Sequence, residues 1–207
     1  MVRISAKTLI GVGIGISLII ISSIGSWQVY NRTNIKKDLR KLLENKRCIR
    51  CHLAGVNLHD ANLDNADLSS AKMVRANLKK AYLKDSNLNN TNLTRAILIN
   101  VNLINGDLTN SILINADLTS ANFTNAKLIN ADLTNANLTE VNLTNANLIN
   151  ANLSGANLYD SDLYRTNLRN AYGITVEQIK QARNWQNAIY DRDFREKLIK
   201  YHKDPSF

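Results

Sequence analysis

The 207-residue sequence has few of the residues that usually anchor or interrupt a fold: one Pro, eight Gly, two Cys, three Phe and two Trp. Aromatic residues make up 6% of the chain, so the core cannot be built from large aromatic side chains. Hydrophobic residues still make up 44%, which excludes a disordered polyelectrolyte. Asn and Leu dominate instead, with 31 and 28 copies. The core is therefore expected to consist of leucine.

The formal net charge of +9 belongs almost entirely to the first fifty residues. Residues 1–50 contain ten basic and two acidic side chains, residues 52–172 nine and ten, and residues 173–207 seven and five. A basic protein ordinarily suggests nucleic acid or a membrane surface as its partner. Because the long middle segment is almost neutral, we expect a membrane surface and no nucleic acid.

The N-terminal segment contains the one strongly apolar run of the sequence. It is uncharged from Thr8 to Asn31, with its most apolar part between Leu9 and Ile24. A bilayer core about 30 Å thick needs roughly 20 apolar residues in a helix, so residues 8–30 are predicted to form a transmembrane helix after a basic N-terminus at 1–7. A cleaved signal peptide and a buried soluble helix are the alternatives.

The orientation of this single-pass membrane protein is predicted from the basic residues on either side of the span. Arg3 and Lys7 precede the run, and five basic residues come after it, namely Arg32, Lys36, Lys37, Arg40 and Lys41. The positive-inside rule then favours the cytoplasmic side for the downstream domain. Short basic N-termini of this kind can also direct export of the downstream domain.

A large apolar residue recurs at every fifth position from Leu53 to Leu168, in 24 consecutive pentads. A small residue stands two positions before each one, except for the bulkier Val56, Val101 and Val141, and Asn or Asp usually lies between them. A period of five would scatter these leucines around a helix. Three extended residues followed by two turn residues instead place the leucine and the small residue on one inward face. Such repetition predicts an all-β solenoid, whose units bury their inward side chains by stacking.

The pentads carry the motif A-[DN]-L-x-x, as in Ala61-Asn62-Leu63-Asp64-Asn65. This motif resembles the pentapeptide-repeat family over about residues 51–170. The resemblance implies a right-handed quadrilateral β-helix with four pentads per coil, and hence about six coils over residues 51–172. It also implies a C-terminal segment similar to the tails of bacterial, especially cyanobacterial, members.

Helices are predicted at both ends of the solenoid, where they would cover its unpaired edges. Residues 31–50 form a basic juxtamembrane segment with a short amphipathic helix. Residues 173–207 form a helical cap and tail, in which Thr175 and Gln178 fit a capping box. Helical spacing of apolar residues then continues through Trp185 and Ile189.

The segment Cys48-Ile49-Arg50-Cys51-His52 matches the CxxCH attachment motif of c-type haem. A zinc site with His59 as a further ligand is a second alternative. The resemblance implies a third, a structural cysteine pair at the start of the solenoid, and we expect this one, with no cofactor and no metal. Whether Cys48 and Cys51 form a disulfide depends on the side of the membrane.

Two groups of outward residues are candidates for interaction. A basic set continues from the juxtamembrane residues into the second coil and could contact anionic lipid; its members there are Lys72, Arg75, Lys79, Lys80 and Lys84. An apolar set could contact a partner protein or a second copy of the chain in a homodimer; its members are Ile97, Ile99, Ile104, Ile112 and Ile114. Solvated charge and local strand preference are the plainer explanations of the two sets.

Signatures of an enzyme are lacking in the sequence: it contains no nucleophile elbow, phosphate loop or calcium repeat. We therefore expect a membrane-anchored, non-enzymatic solenoid that serves as a protein-interaction or scaffold surface for an unknown partner. A DNA-mimic inhibitor of topoisomerase, which the resemblance allows, and a haem-carrying redox protein are the alternatives. Mimicry of DNA requires a strongly negative surface, which residues 52–172 lack.

Overall fold

The structure, a computed structural model, describes the backbone of residues 26–203 and the side chains of residues 34–200. Helix α1 spans Ser26–Asn45, and a long repetitive region comes after it. Helix α2 spans Val176–Lys180, a 3₁₀ helix spans Trp185–Asn187, and helix α3 spans Arg192–Lys203. The predicted membrane span at 8–30 lies outside the described residues except for positions 26–30, which begin α1. No helix within residues 26–203 is both long and apolar enough to cross a bilayer.

The repetitive region is a β-solenoid in which each residue pairs with the residue one coil later. Parallel bridges join positions twenty residues apart, from Arg47 with Asp67 to Asn152 with Tyr172. Twenty residues are four pentads, so each coil has four sides and each side contributes one bridging residue. We number the sides by their first bridging residue: side 1 begins at Arg47, side 2 at His52, side 3 at Asn57 and side 4 at Asn62. The predicted four-sided coil is confirmed.

The corners of the coil explain the high content of asparagine. In every pentad the backbone N–H of the small residue donates to the carbonyl of the preceding large residue, as in Ala61 to Leu58 at 3.0 Å. This hydrogen bond closes a turn, and the fifth pentad position within it always has a positive φ, between 54° and 66° from Arg50 to Asn170. Asn tolerates this left-handed conformation better than most residues. Asparagine therefore occupies about half of these corner positions.

The interior is filled by two residues from each pentad, as the period predicts. The leucine positions are buried from Leu53 to Leu168, and Met73 and Phe123 replace leucine without exposure. The small positions are equally buried, including five that are Ser or Thr. Four of these hydroxyls donate to main-chain carbonyls, as Thr91 does to Leu68 at 3.1 Å. Leucine thus forms the core, and the small residues let adjacent sides meet.

Helix α1 covers the N-terminal edge of the solenoid. Leu42 is fully buried and Leu39 nearly so, while Ile35 and Leu43 pack against the same core. The helix ends where Lys46 adopts a positive φ of 51°, a common helix stop. The solenoid begins at once, since Arg47 already bridges to Asp67. The coil therefore starts four residues before the expected boundary at 51, because Cys48 occupies a leucine position.

The C-terminal edge is covered by α2 and by the chain that comes after it. The predicted capping box is present: Thr175 Oγ1 accepts from the Gln178 N–H at 3.2 Å, and the Thr175 N–H donates to Gln178 Oε1 at 2.7 Å. The Gln178 side-chain amide also donates to the open carbonyls of Leu153 and Ala156, at 3.3 and 2.8 Å.

The helical spacing predicted through Ile189 does not give a continuous helix, because α2 ends at Lys180. Arg183 instead bridges to Asp162, and Ile189 bridges to Asn167. These pairs are 21 and 22 residues apart rather than twenty. The backbone groups of the last coil would otherwise lack partners, and satisfying them outweighs continuation of the helix.

Candidate functional site

The outer surface of the solenoid is ordered by hydrogen bonds between the second and fourth positions of a pentad. In most turns, Oδ1 of an Asn or Asp at position two accepts the backbone N–H of position four, as Asp132 does from Thr134 at 3.0 Å. This bond satisfies a donor that the coil itself leaves open. The role was not predicted from the sequence, although the frequent Asn or Asp at position two is its signal. Between residues 52 and 126 the acceptor is replaced at His52, Lys72, Tyr82, Ile97 and Ile112.

The two cysteines form a disulfide at the junction of α1 and the solenoid, with Cα atoms 5.3 Å apart. Cys48 fills a leucine position and Cys51 the next small position, and both are buried. Asp38 of α1 lies beside them: its carbonyl oxygen is 3.1 Å from Cys48 Sγ, and its carboxylate accepts the His52 N–H at 2.8 Å. The disulfide therefore lies within the first coil, and Asp38 connects α1 to that coil beside it.

This arrangement differs from what the haem and zinc alternatives require. Haem attachment would use both sulfur atoms, which are bonded to each other here. Among the residues that the structure describes, the group that could join the two sulfurs in holding a metal is the carboxylate of Asp38, whose oxygen lies within 4.8 Å of both. His59 lies at a later corner, where its Nδ1 is 2.5 Å from Asp60 Oδ2.

The basic set predicted from the sequence surrounds the N-terminal end of the solenoid. Its α1 members from residue 36 onward are exposed, and Arg32 lies in the same helix. Lys72 projects from side 2, and Arg75 lies at the corner between sides 2 and 3. The remaining members are farther around the coil: Lys79 and Lys80 at the corner of sides 3 and 4, and Lys84 at the corner of sides 4 and 1. The set thus forms a belt and not one face.

The apolar set is also distributed around the coil. Ile97 and Ile112 are 40% and 37% exposed and lie on sides 3 and 2. Ile99, Ile104 and Ile114 are half-buried at three different corners. Successive pentads occupy successive sides, so isoleucines that are close in sequence cannot share one flat surface. Three tyrosines are more exposed than any of them, namely Tyr82, Tyr159 and Tyr172.

Comparison with known proteins agrees with the repeat and its extent. The family model for pentapeptide repeats matches eight copies, over residues 47–79, 76–113, 107–139 and 136–172. No curated protein gives a significant match. Among solved structures, the chain is similar to HetL, a pentapeptide repeat protein involved in heterocyst differentiation regulation in the cyanobacterium Nostoc sp. strain PCC 7120. The identity is 30% over 69% of this chain and 67% of that chain, with a TM-score of 0.34.

Two further solved structures are more distant. Rfr23, a pentapeptide repeat protein of the cyanobacterium Cyanothece 51142, is 26% identical over 77% of this chain and 97% of its own, with a TM-score of 0.29. Full-length QnrB1, a plasmid-mediated fluoroquinolone resistance protein, is 12% identical over 76% of this chain and 88% of its own, with a TM-score of 0.34.

Proposed function

Because the chain belongs to the pentapeptide-repeat family, we propose that it is a non-enzymatic scaffold, tethered to a membrane by residues 8–30, whose solenoid binds a partner protein. Members of this family generally serve as binding or structural modules.

The observation that carries the proposal is that both ends of the solenoid are covered and its sides are open. Helix α1 buries Leu42 against the first coil, and Gln178 caps carbonyls of the last. Covered ends prevent edge-to-edge addition of further strands. The four sides, each about six rungs tall, are therefore the surface available to a partner.

The tether is supported by the sequence that precedes α1. The uncharged run from Thr8 to Asn31 is followed at once by the basic residues of α1, four of which are exposed: Lys36, Lys37, Arg40 and Lys41. Basic residues next to a span would lie at the headgroups, where each contributes about 1 kcal/mol of attraction to anionic lipid. The tether would thus hold the first coil close to the bilayer.

The tether is tested by membrane fractionation of the full chain carrying a C-terminal tag. We expect the protein to remain in the membrane pellet after washing with high salt and with alkaline carbonate. The double variant Ile20→Arg/Ile21→Arg should move to the soluble fraction, because each charge at the centre of a span costs about 2.5–3.5 kcal/mol. A matched variant with Gln at the four exposed basic positions of α1 should remain in the pellet.

Release of the unchanged protein by salt alone, without cleavage of the chain, would contradict the tether. Protease protection of the same tag, in intact and opened cells, then determines the side of the membrane. The basic residues after the span favour the cytoplasmic side, where the tag is digested only after the cells are opened. The Cys48–Cys51 disulfide favours an oxidising compartment, where the tag is digested in intact cells, so this experiment decides between the two.

A further inference from the structure

The corner between sides 2 and 3 differs sharply between the two halves of the solenoid. In the C-terminal half, the position-four N–H groups of Thr134 and Ser154 donate to Asp132 and Asn152, at 3.0 and 3.1 Å. In the first two coils, His52 and Lys72 replace the Asn or Asp acceptor. The backbone N–H groups of Ala54 and Val74 consequently donate to no group within the described part of the chain. The first two coils therefore present two free main-chain donors at this corner. In the third coil Thr94 donates to Asn92 at 3.0 Å, and in the fourth the Ile114 N–H is a further free donor, because Ile112 replaces the acceptor.

Positive charge is concentrated at the same corner. Arg75 and Arg95 occupy the same pentad position on consecutive coils, about 4.8 Å apart along the solenoid axis, which is the spacing of adjacent strands. Lys72 lies beside them on side 2. Like charges on adjacent rungs repel each other and destabilise the pair. An anion bound between the two guanidinium groups would remove this repulsion.

Lys72, Arg75 and Arg95 have no carboxylate within salt-bridge distance among residues 34–200. Lys84 and Lys127, by contrast, lie 3.9 Å from Asp85 and Asp107. The carboxylates of the same coils lie elsewhere around the solenoid. Those at other corners are Asp60, Asp64 and Asp85, those on side 1 are Asp67 and Asp107, and Asp117 is on side 3. The carboxylate of Asp38 in α1 reaches side 2 of the first coil, where it accepts the His52 N–H at 2.8 Å.

A groove of about 450 Å³ lies along this corner, and its lining includes the two arginines and the two residues with free N–H groups. The groove is open at Gly55 in the first coil, where a Cβ atom would have no neighbour within 4 Å. Thr94 and Asn115 complete the lining. Guanidinium groups and main-chain N–H groups are the donors that proteins use for phosphate oxygens.

We propose that this corner is a phosphate-binding site, in which Arg75, Arg95 and the N–H groups of Ala54 and Val74 hold the phosphate oxygens and Lys72 adds charge. The ligand is a phosphate group, carried by a soluble molecule or by a lipid headgroup. The site consists only of solenoid residues, so it does not depend on the proposed membrane tether.

The test uses the full chain in a neutral detergent and phosphate-free buffer, observed by amide NMR during titration with inorganic phosphate at constant ionic strength. We expect saturable shifts of the Ala54 and Val74 amide signals and none of the Thr134 and Ser154 signals. Arg75→Gln/Arg95→Gln should weaken binding at least about tenfold, because it removes the charge-assisted hydrogen bonds. Arg165→Gln, at the same pentad position on another corner, is the matched control and should bind normally.

A second pair of variants separates the free N–H group from the charge. Lys72→Asn and Lys72→Gln both remove the positive charge, but only Asn has the length to accept the Val74 N–H from position two. Lys72→Asn should therefore weaken phosphate binding more than Lys72→Gln. Equal binding by the two variants would overturn the role of the Val74 amide.

The source of the phosphate is distinguished by micelles that contain phosphatidic acid or phosphatidylcholine. A lipid headgroup is the ligand if phosphatidic acid alone shifts the same amide signals, with the same dependence on Arg75 and Arg95. Shifts caused by inorganic phosphate but not by phosphatidic acid indicate a soluble ligand. Absence of saturable shifts with both probes, or undiminished affinity of Arg75→Gln/Arg95→Gln, overturns the site.

Discussion

At the scale of single residues, the solenoid depends on backbone conformations that few side chains tolerate. The period of five correctly predicts which residues point inward and that corner residues are suited to left-handed backbone. It does not reveal that Cys48 occupies a leucine position, because a cysteine breaks the visible pattern while its disulfide-bonded side chain is buried at the same place. Nor does it reveal the free N–H groups of Ala54 and Val74, which result from a missing acceptor two positions earlier.

Gly173, which follows the last coil, requires both a left-handed backbone and the absence of a side chain. It has a φ of 69°, and a Cβ atom there would lie 2.7 Å from the backbone nitrogen of Ser154. Gly55 has nearly the same φ of 65° but open space around it. Gly55→Ala should therefore lower the free energy of unfolding by only roughly 1–2 kcal/mol, the cost of holding an alanine in the left-handed conformation. Gly173→Ala should lower the free energy of unfolding clearly more, because the backbone at Ser154 must also move.

The two glycine variants are compared by circular dichroism during chemical denaturation. Equal losses of unfolding free energy would show that the last coil adapts to the added methyl group and that the contact with Ser154 is unimportant.

At the scale of elements, the two caps were only partly accessible to prediction. The capping box at Thr175 and the apolar positions of α1 were visible, because they obey local helix rules. The short length of α2 was not, since it results from hydrogen bonds that Arg183 and Ile189 make to the solenoid edge. Such long-range pairing does not appear in the spacing of apolar residues, which resembles a helix through Ile189.

Helix α1 is predicted to stabilise the solenoid and keep it from associating through its first coil. Leu42 is fully buried against the core, so Leu42→Ala should cost about 2–5 kcal/mol. Its neighbour Lys41 is exposed, and Lys41→Ala should change stability little. Light scattering after size-exclusion chromatography should show more self-association for Leu42→Ala alone, because its edge is less well covered. Similar behaviour of the two variants would mean that α1 is dispensable as a cap.

The C-terminal cap should weaken at high pH because of Tyr190. Its hydroxyl donates to the Trp185 carbonyl at 2.8 Å, and its ring packs against Phe194 with centroids 5.5 Å apart. Burial raises the pKa of Tyr190 above its ordinary value, with a smaller opposing effect from Arg195. The unfolded chain then releases this proton near pH 10, before the folded chain does. The stabilisation is complete below pH 10 and is lost as pH rises above it.

The pH effect is measured as the melting temperature of the protein and of Tyr190→Phe between neutral pH and pH 11. The unchanged protein should be the more stable of the two at neutral pH, where the hydrogen bond is present, and should lose this advantage above pH 10. A constant difference across the range would show that the Tyr190 pKa is the same in the folded and unfolded chains.

At the scale of the whole molecule, the fold is determined by the repeat because each coil contacts only its neighbours. The period of five does not determine how many pentads make up one coil. The structure gives this number as four, because residues twenty apart pair side by side. A five-residue repeat could close with another number of sides. The distribution of surface groups depends on that number, which is why the isoleucine and lysine sets occupy several sides.

Removal of one complete coil should leave a shorter but folded protein. Deletion of residues 131–150 joins Asn130 to Ala151 and preserves every inward position, so a cooperative thermal transition is expected by circular dichroism. Deletion of residues 131–148 removes nearly as much chain but places Leu153 at a corner position with positive φ. That variant should lose the cooperative transition, because the inward residues of every later pentad would be misplaced. Equally cooperative folding of both variants would contradict the strict register.

The twenty-residue coil has a consequence for how the surface can change. Insertion or loss of a single pentad would keep every leucine inside, yet it would rotate all later sides by a quarter turn relative to the earlier ones. Arg75 and Arg95 are adjacent in space only because four pentads separate them. The number of pentads between two surface groups therefore sets the angle between them, and this angle can change while every leucine stays inside, with new stacking partners only in the coils next to the change.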